Sequence, residues 1–239
     1  MAGGQQECVY FGSAVVRFSL VFRQRKHIGI TVKPDLEVVV AAPEGTPVDV
    51  VRERVQRRAP WILRQLDQFE RFRPWPAPRQ YLSGETHSYL GRQYRLKVVP
   101  GQTPSVKLLG RYLTVETAGT VDTGEVRRLV EEWYRVHARA MFKRRMELCR
   151  EAFPEFAGLD PPLLVRRLKT RWGSCSKTGR ILLNTELVKT PVECIDYVIA
   201  HEMCHLKVRD HSAEFYRLLS ACVPDWQRRK ERLERVPLP

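Results

Sequence analysis

The sequence of 239 residues predicts an α+β fold, in which a β-rich N-terminal part with helices precedes a region where a helix lies next to a β-hairpin. Three observations lead to this prediction. Residues 13–42 and 89–117 are rich in β-branched and aromatic residues, and turns that contain Gly or Pro divide them. Apolar residues recur at helical spacing over 46–72 and 124–153. The motif HExxH, at 201–205, stands in a third segment with helical spacing.

Residues 13–42 predict two or three antiparallel strands, because basic or Pro-containing turns separate the apolar runs. Thr46 and Pro47 then predict the start of an amphipathic helix, with a capping hydroxyl and a proline in the first turn. The apolar stripe of this helix continues to about Phe72. Pro60 is expected to interrupt or restart the helix, because its ring removes one backbone hydrogen bond.

A segment with three prolines, 73–79, is the predicted linker, because it can form neither a helix nor a central strand. The predicted parts are therefore 1–78, which is β-rich with an amphipathic helix, and 79–239, which contains the HExxH motif. A single domain with a rigid loop at 73–79 is the alternative.

The second part begins with strands predicted over 89–99 and 106–117, followed by a long amphipathic helix from about 124 to 153. The sequence shows no internal repeat. Residues 163–184 predict a hairpin with Gly179 in its turn, just before the HExxH helix. One of its strands is expected to lie along the cleft of the motif, where an extended peptide would pair with its free edge.

The HExxH helix is predicted from Pro191 to Val208. Thr190 and Glu193 have the spacing of a capping box, and Pro191 suits the first helical position. At 100° per residue, the side chains of the two histidines lie 40° apart on one face, which suits two ligands of one metal ion. The intervening glutamate lies 60° to one side of the second histidine, near enough to contact a metal-bound water. The pattern predicts two zinc ligands, His201 and His205, and one catalytic base, Glu202.

A catalytic zinc site has three protein ligands and one open position. We expect His211 to be the third ligand, because a turn after the helix would fold it back, and Glu214 is the competing candidate. Three neutral imidazoles leave one Zn²⁺ per chain at +2, which brings the pKa of bound water to about 7. Glu202 would then accept the proton of this metal-activated water as general base.

Other residues near the motif have less specific roles. Arg171 or Tyr216 is a candidate donor to the oxyanion, although residues of either type are more often structural. Trp172 and Cys175 either line the cleft or pack in the core. Cys204 is expected to pack rather than to bind metal. The remaining histidines are expected to be surface or packing residues: His27, His87 and His137.

The composition narrows the class of protein. With 43% hydrophobic and 28% charged residues, the chain has the composition of a globular protein rather than a disordered, collagenous or coiled-coil one. No apolar run reaches the roughly 18 residues of a membrane-spanning helix, and the N-terminus lacks a signal-peptide pattern. Six cysteines without a CxxC pair are expected to be mostly buried thiols. These features predict a soluble, cytoplasmic protein without membrane contact.

The charge is strongly positive, because 41 Lys and Arg oppose 27 Asp and Glu, for a net charge of +14. Such a charge favours contact with phosphates or nucleic acid. The basic residues are spread along the chain, so the charge alone identifies no ligand, and nucleic-acid binding stays an alternative.

Several motifs resemble those of the YgjP-like metal-dependent hydrolases, which are relatives of the SprT-type zinc peptidases. They are RWGSC at 171–175, LN at 183–184, DYVIAHEMCHL at 196–206 and HSAEFY at 211–216. Weaker matches in kind lie at 23–31, 38–43, 61–66 and 89–94. The chain departs from the common pattern at Tyr216, where tryptophan is common, and at Met203, where leucine is common.

The resemblance implies a zincin-like catalytic region behind a β-rich N-terminal part. It implies that zinc is held by His201, His205 and His211, with Glu202 as the catalytic base, and thus supports His211 over Glu214. It leaves the substrate open between peptide and nucleotide, because some members are described as nucleoside triphosphate pyrophosphatases.

Three functions follow from the sequence. The leading one is a zinc-dependent hydrolase of the metallopeptidase type. The first alternative is a nucleoside triphosphate pyrophosphatase that uses the same metal site, which the positive charge would suit. The second alternative is a nucleic-acid-binding module with a structural zinc. Glu202 argues against it, because a structural site has no need of a carboxylate beside an open position.

Overall fold

A computed structural model describes residues 5–33, 35–71, 79–119 and 122–236, and its mixture of sheets and helices confirms the α+β class. The chain divides into two compact units, Met1–Ala77 and Pro78–Pro239. The predicted linker lies outside the described residues, except for its last residue, Arg79.

The N-terminal unit contains one four-stranded sheet. Its strands are β1 (Gln5–Phe11), β2 (Ala14–Arg23), β3 (Gly29–Val32) and β4 (Val38–Pro43), in the order β1-β2-β4-β3. The inner pair, β2 and β4, is parallel, and both outer pairs are antiparallel. The prediction missed β1, which begins with three polar residues and is exposed at five of its seven positions.

Helix α1 (Val48–Arg71) follows this sheet and runs through Pro60 without a break, so the predicted interruption is wrong. A proline inside a helix costs about 3 kcal/mol. Burial of one large aliphatic side chain contributes about 1.5–3 kcal/mol, and several such side chains outweigh the cost. The fully buried stripe consists of Val51, Val55, Ala59 and Ile62. The expected cap is also wrong, because the Thr46 hydroxyl donates to the Pro43 carbonyl oxygen at 2.8 Å.

The second unit begins with another four-stranded sheet. Its strands are β5 (Thr86–Tyr89), β6 (Arg92–Gly101), β7 (Ser105–Leu109) and β8 (Tyr112–Ala118). The order β5-β6-β8-β7, with a parallel inner pair and antiparallel outer pairs, repeats the arrangement of the first sheet. The fold therefore contains a repeat of topology that the sequence does not show.

Helix α2 (Thr123–Ala152) is close to its predicted bounds. The Asp122 carboxylate caps it by accepting from the backbone N–H groups of Gly124 and Glu125, at 3.2 and 3.0 Å. Its buried face belongs to the large core of this unit and contains Val126, Val130, Trp133, Tyr134, Ala138, Phe142, Met146 and Cys149.

A small third sheet precedes the HExxH helix. Its strands are β9 (Leu163–Arg166), β10 (Gly173–Cys175) and β11 (Ile181–Asn184), in the order β10-β11-β9. Only β10 and β11 form the predicted hairpin, whereas β9 pairs in parallel with β11. The predicted long strand is thus divided in two by an irregular loop at 167–172.

Three helices complete the chain: α3 (Val192–Cys204), α4 (Ala213–Cys222) and α5 (Trp226–Glu234). The predicted capping box of α3 is wrong, because the Thr190 hydroxyl donates to the Leu187 carbonyl oxygen at 2.8 Å. Glu193 instead accepts from Arg232 at 2.6 Å. The helix also ends four residues before the predicted Val208, with His205 as its C-cap.

Most of the cysteines are buried thiols, as the sequence predicts. All six cysteines are free thiols, and four are buried: Cys149, Cys194, Cys204 and Cys222. Among the described residues, no helix combines the length and the apolar character that crossing a membrane requires.

Candidate metal centre

Three histidines meet at the end of α3. His201 lies in its last turn, His205 is its C-cap, and His211 lies just before α4. One ring nitrogen from each histidine lies within 4.8 Å of those of the other two. The turn after α3 causes this approach, because the backbone N–H groups of Leu206 and Val208 donate back to carbonyl oxygens of α3 at 3.0 and 2.9 Å.

The spacing of these nitrogens fits one metal ion. Nε2 of His201 lies 3.1 Å from Nε2 of His211. Two nitrogens bound to one tetrahedral zinc ion are about 3.3 Å apart, given Zn–N bonds of roughly 2.0–2.1 Å. Nδ1 of His205 lies 3.1 Å from the Val208 carbonyl oxygen, which can only accept, so this nitrogen carries the proton and Nε2 is left as the ligand atom.

Burial also favours the neutral form of two of the histidines. It lowers the pKa of His201 to about 3, and the neighbouring imidazoles of His205 and His211 act in the same direction. The pKa of His211 is lowered as well, by burial and by His205. A metal ion binds the neutral form of imidazole, which the lowered pKa values of His201 and His211 favour. The buried Nδ1 of His201 finds no hydrogen-bond partner within the described residues.

Phe215 supports all three rings from α4. Its ring centroid lies 5.0 Å from that of His201, 4.6 Å from that of His205 and 4.7 Å from that of His211. Tyr216 follows it and is 39% exposed, with its ring 6.2 Å from His211 and stacked on Trp226. One aromatic residue therefore fixes the histidines, and the next faces solvent beside them.

The side chain of Glu202 extends from α3 to the backbone of β10, and the residue is only 6% exposed. Burial raises its pKa to about 7, while the positive charge of Arg171 and a backbone hydrogen bond from Cys175 act against this rise. A Cβ at Gly173 would lie 2.8 Å from Oε1 and 3.0 Å from Cγ of Glu202. The glycine in RWGSC thus lets the main chain of β10 pass directly beside the carboxylate.

Asn184 organises the loop at 167–172 and is fully buried. Its Nδ2 donates to the carbonyl oxygens of Leu168 and Arg171, both at 2.9 Å. Its Oδ1 accepts from the backbone N–H groups of Leu168 at 3.3 Å and Glu186 at 3.1 Å. One amide therefore holds both ends of the loop at the start of β10.

The other residues that the sequence suggested for the site are not part of the histidine cluster. Glu214 is exposed and lies outside the group of three histidines. Arg171 is exposed beside Glu202, and Trp172 packs against the core. Cys204 is fully buried, and its thiol shares a hydrogen bond with Cys222.

The three remaining histidines have the predicted surface or packing positions. His27 is exposed, His87 is buried, and His137 stacks on Trp133 at 4.0 Å.

Sequence reasoning missed the roles of three residues: Gly173, Asn184 and Phe215. Phe215 stands four residues after His211, a spacing that could have indicated contact across one helical turn. A polar asparagine directly after the apolar run ILL was the signal for Asn184. No local pattern indicates the contact of Gly173, which depends on α3.

A comparison with models of protein families identifies the family of this chain. The model of the YgjP-like metallopeptidase domain matches residues 26–236, which is most of the chain. The chain belongs to the YgjP-like metallopeptidase family. A metallopeptidase family implies a bound metal ion, and the three histidines are the candidate ligands in this chain.

Two solved structures are similar to parts of this YgjP-like chain. The metallopeptidase zymogen abylysin of Pyrococcus abyssi is 26% identical, with a TM-score of 0.34, over 38% of this chain and 86% of that one. The zymogen jannalysin of Methanocaldococcus jannaschii is 18% identical, with a TM-score of 0.32, over 40% and 92% of the two chains. No curated protein matches the chain.

Proposed function

We propose that this protein is a zinc-dependent peptidase in which His201, His205 and His211 hold one Zn²⁺ and Glu202 is the general base. The observation that carries the proposal is the meeting of three ring nitrogens within 4.8 Å, together with the buried carboxylate of Glu202, which directly follows His201 in α3. Three histidines leave a fourth position open, as catalysis requires.

A Zn²⁺ ion held by His201, His205 and His211 would supply Lewis acidity, which would acidify water and polarise the oxygen of the scissile carbonyl group. Glu202 accepts the proton of the attacking water and passes it to the leaving amine. In the metal-free chain, burial raises the pKa of Glu202 to about 7, which favours a carboxyl group that can accept and release a proton near neutral pH.

The edge of β10 is the proposed binding site for the substrate backbone. Within the described residues, β10 pairs only with β11, so its other edge has no strand partner, and the Cys175 backbone N–H donates to Glu202. An extended peptide can add to such an edge through main-chain hydrogen bonds. Arg171, exposed near Glu202, is the proposed donor to the developing oxyanion, and Tyr216 is the alternative donor.

The test compares the wild type with Glu202→Gln on a peptide library, with zinc content measured for both. We expect the variant to keep its zinc and to lose at least about 100-fold in kcat, because general-base catalysis contributes about 10²–10⁴. Glu214→Gln is the matched control, since this glutamate is exposed outside the cluster.

Unchanged turnover in Glu202→Gln contradicts the assignment of the base. A panel of nucleoside triphosphates is assayed in parallel. Release of pyrophosphate without cleavage of any peptide favours the nucleotide alternative. Salt-dependent binding of nucleic acid without either reaction favours the binding module with a structural zinc.

A further inference from the structure

The segment that forms the third sheet has an unusual charge. Residues 163–184 contain six basic residues and no Asp or Glu. They are Arg166, Arg167, Lys169, Arg171, Lys177 and Arg180. All lie on the sheet that passes beside Glu202 or on its loops.

Within the described residues, these six cations form no ion pair. Where the structure describes the chain, no carboxylate lies in ion-pair distance of any of them. Helix α2 differs, because four of its arginines pair with carboxylates: Arg127, Arg135, Arg145 and Arg150. The charge at 163–184 therefore does not contribute to the fold through pairing, and it is available to a ligand.

Arg171 and Lys177 stand two residues before and two residues after β10, so basic residues flank both ends of this strand. Asn184 holds the carbonyl oxygens of Leu168 and Arg171, which fixes the basic loop just before Gly173. Arg171 is exposed and stands two residues before Gly173, where a Cβ would lie 2.8 Å from Oε1 of Glu202. At the other end of β10, the Arg209 guanidinium donates to the Ser176 carbonyl oxygen at 2.7 Å and adds a further positive charge.

We propose that this basic sheet makes the site selective for acidic peptides, with Arg171 as the main specificity-determining residue. The inference rests on the proposed peptidase function. A peptide laid along Gly173–Cys175 advances about 3.3 Å per residue, so side chains on either side of the scissile bond come near the flanking cations. Asp or Glu there gains attraction, and Lys or Arg is repelled.

A peptide fits these observations better than a nucleic acid does. The open edge of β10 offers backbone donors and acceptors in strand geometry, which the backbone of an extended peptide matches. The cations lie at the two ends of this edge rather than along a continuous groove that follows a phosphate backbone.

The experiment uses zinc-loaded wild type and quenched fluorescent peptides that differ only at two positions on each side of the scissile bond. These positions contain Glu, Gln or Lys. We expect kcat/KM to be about fivefold higher for Glu than for Gln, the size of one partly exposed charge pair, and lowest for Lys. The preference should shrink as salt is raised from 0.05 to about 0.5 M, because exposed charges are then screened.

Substitutions of single arginines test which residue causes the preference for Glu peptides. Arg171→Gln should reduce it, and Arg171→Glu should favour the Lys peptides. Arg144→Glu is the matched control, because this exposed arginine lies on α2 and no carboxylate partner is described for it, and it should keep the Glu preference. Binding of the uncleaved Glu peptide to zinc-loaded Glu202→Gln protein, followed by fluorescence anisotropy with and without Arg171→Gln, gives a readout independent of turnover.

The outcomes separate this inference from the proposed function. Cleavage of Glu, Gln and Lys peptides at equal rates overturns the selectivity and leaves the peptidase intact. Absence of cleavage of every peptide overturns both. Loss of single-stranded DNA binding in Arg171→Glu, without any preference among peptides, overturns the inference in favour of a nucleic-acid surface.

Discussion

At the scale of single residues, the site depends on how closely β10 approaches Glu202. Gly173 leaves room for Oε1 where a Cβ would lie 2.8 Å away, and Leu183 Cδ2 would be only 3.1 Å away on the other side. The carboxylate is enclosed by the core and cannot turn into solvent, since only 6% of the residue is exposed. The position of the proposed base is therefore set by the absence of a side chain on the neighbouring strand.

Gly173→Ala tests this contact. The added methyl group should displace the Glu202 carboxylate and lower kcat at least about tenfold, because small displacements of a catalytic group are costly. Overpacking should also lower the free energy of unfolding by about 1–3 kcal/mol. Zinc affinity should stay near that of the wild type, because the three atoms nearest to the new group belong to Glu202 and Leu183 rather than to a histidine.

Peptide kinetics, zinc titration and urea unfolding measure these three quantities. Gly124→Ala, in the first turn of α2, is the matched control, because its Cβ would approach only the end of the exposed Asp122 side chain at 3.1 Å. A Gly173→Ala enzyme with wild-type kcat contradicts this account of the base.

Which residues could be predicted depends on whether their partners are local in sequence. HExxH fixes the relation of His201, Glu202 and His205 through helical geometry alone, so the motif was sufficient to predict their proximity. His211 required only a turn of six residues. Gly173 and Asn184 act across the hairpin and the following helix, so no local pattern could reveal their contacts.

At the scale of secondary-structure elements, α3 has to be fixed against its neighbours for the histidines to keep their places. Arg145 of α2 forms a two-pronged pair with Asp196 of α3, with Nε and Nη2 each 2.6 Å from a carboxylate oxygen. Both side chains are about three-quarters buried, with exposures of 28% and 24%. The pair ties the long helix to the middle of the helix that carries HExxH.

Arg145→Met should lower the free energy of unfolding by about 1.5 kcal/mol, because charged hydrogen bonds with little exposure contribute about 1.5–3 kcal/mol. The control is Arg135→Met, whose pair with Glu132 on the surface of α2 is 61% and 47% exposed. The control should lose less than about 0.5 kcal/mol. Urea unfolding of both variants measures the difference, and equal losses exclude a special role for the pair of α2 and α3.

The elements themselves were predicted unevenly. Apolar periodicity predicted α1 and α2 nearly to their ends, because a buried stripe is a property of the local sequence. The predicted helix-capping residues were wrong. Thr190 and Thr46 were expected to cap helices, yet each hydroxyl donates to a carbonyl oxygen three residues earlier. Their hydrogen bonds stabilise the turns before the helices, a competition that spacing alone does not decide.

At the scale of the whole molecule, the two four-stranded sheets repeat one topology. Each has a parallel inner pair, antiparallel outer pairs and a long helix after its last strand. The sequence shows no repeat, because packing demands apolar character at inward positions rather than particular residues. Strand order and direction are set by contacts distant in sequence, so they could not be predicted from hydrophobic patterns.

The central claim is that three histidines of this chain bind one metal ion. Its most direct test is calorimetric titration of Zn²⁺ into metal-free wild type, His211→Ala and Glu214→Gln. The account predicts one ion per wild-type chain and unchanged affinity in Glu214→Gln. It also predicts an affinity at least about 100-fold weaker in His211→Ala, since loss of even an outer partner of a ligand costs about 10–100-fold. Wild-type affinity in His211→Ala, or weak binding in Glu214→Gln, would contradict it.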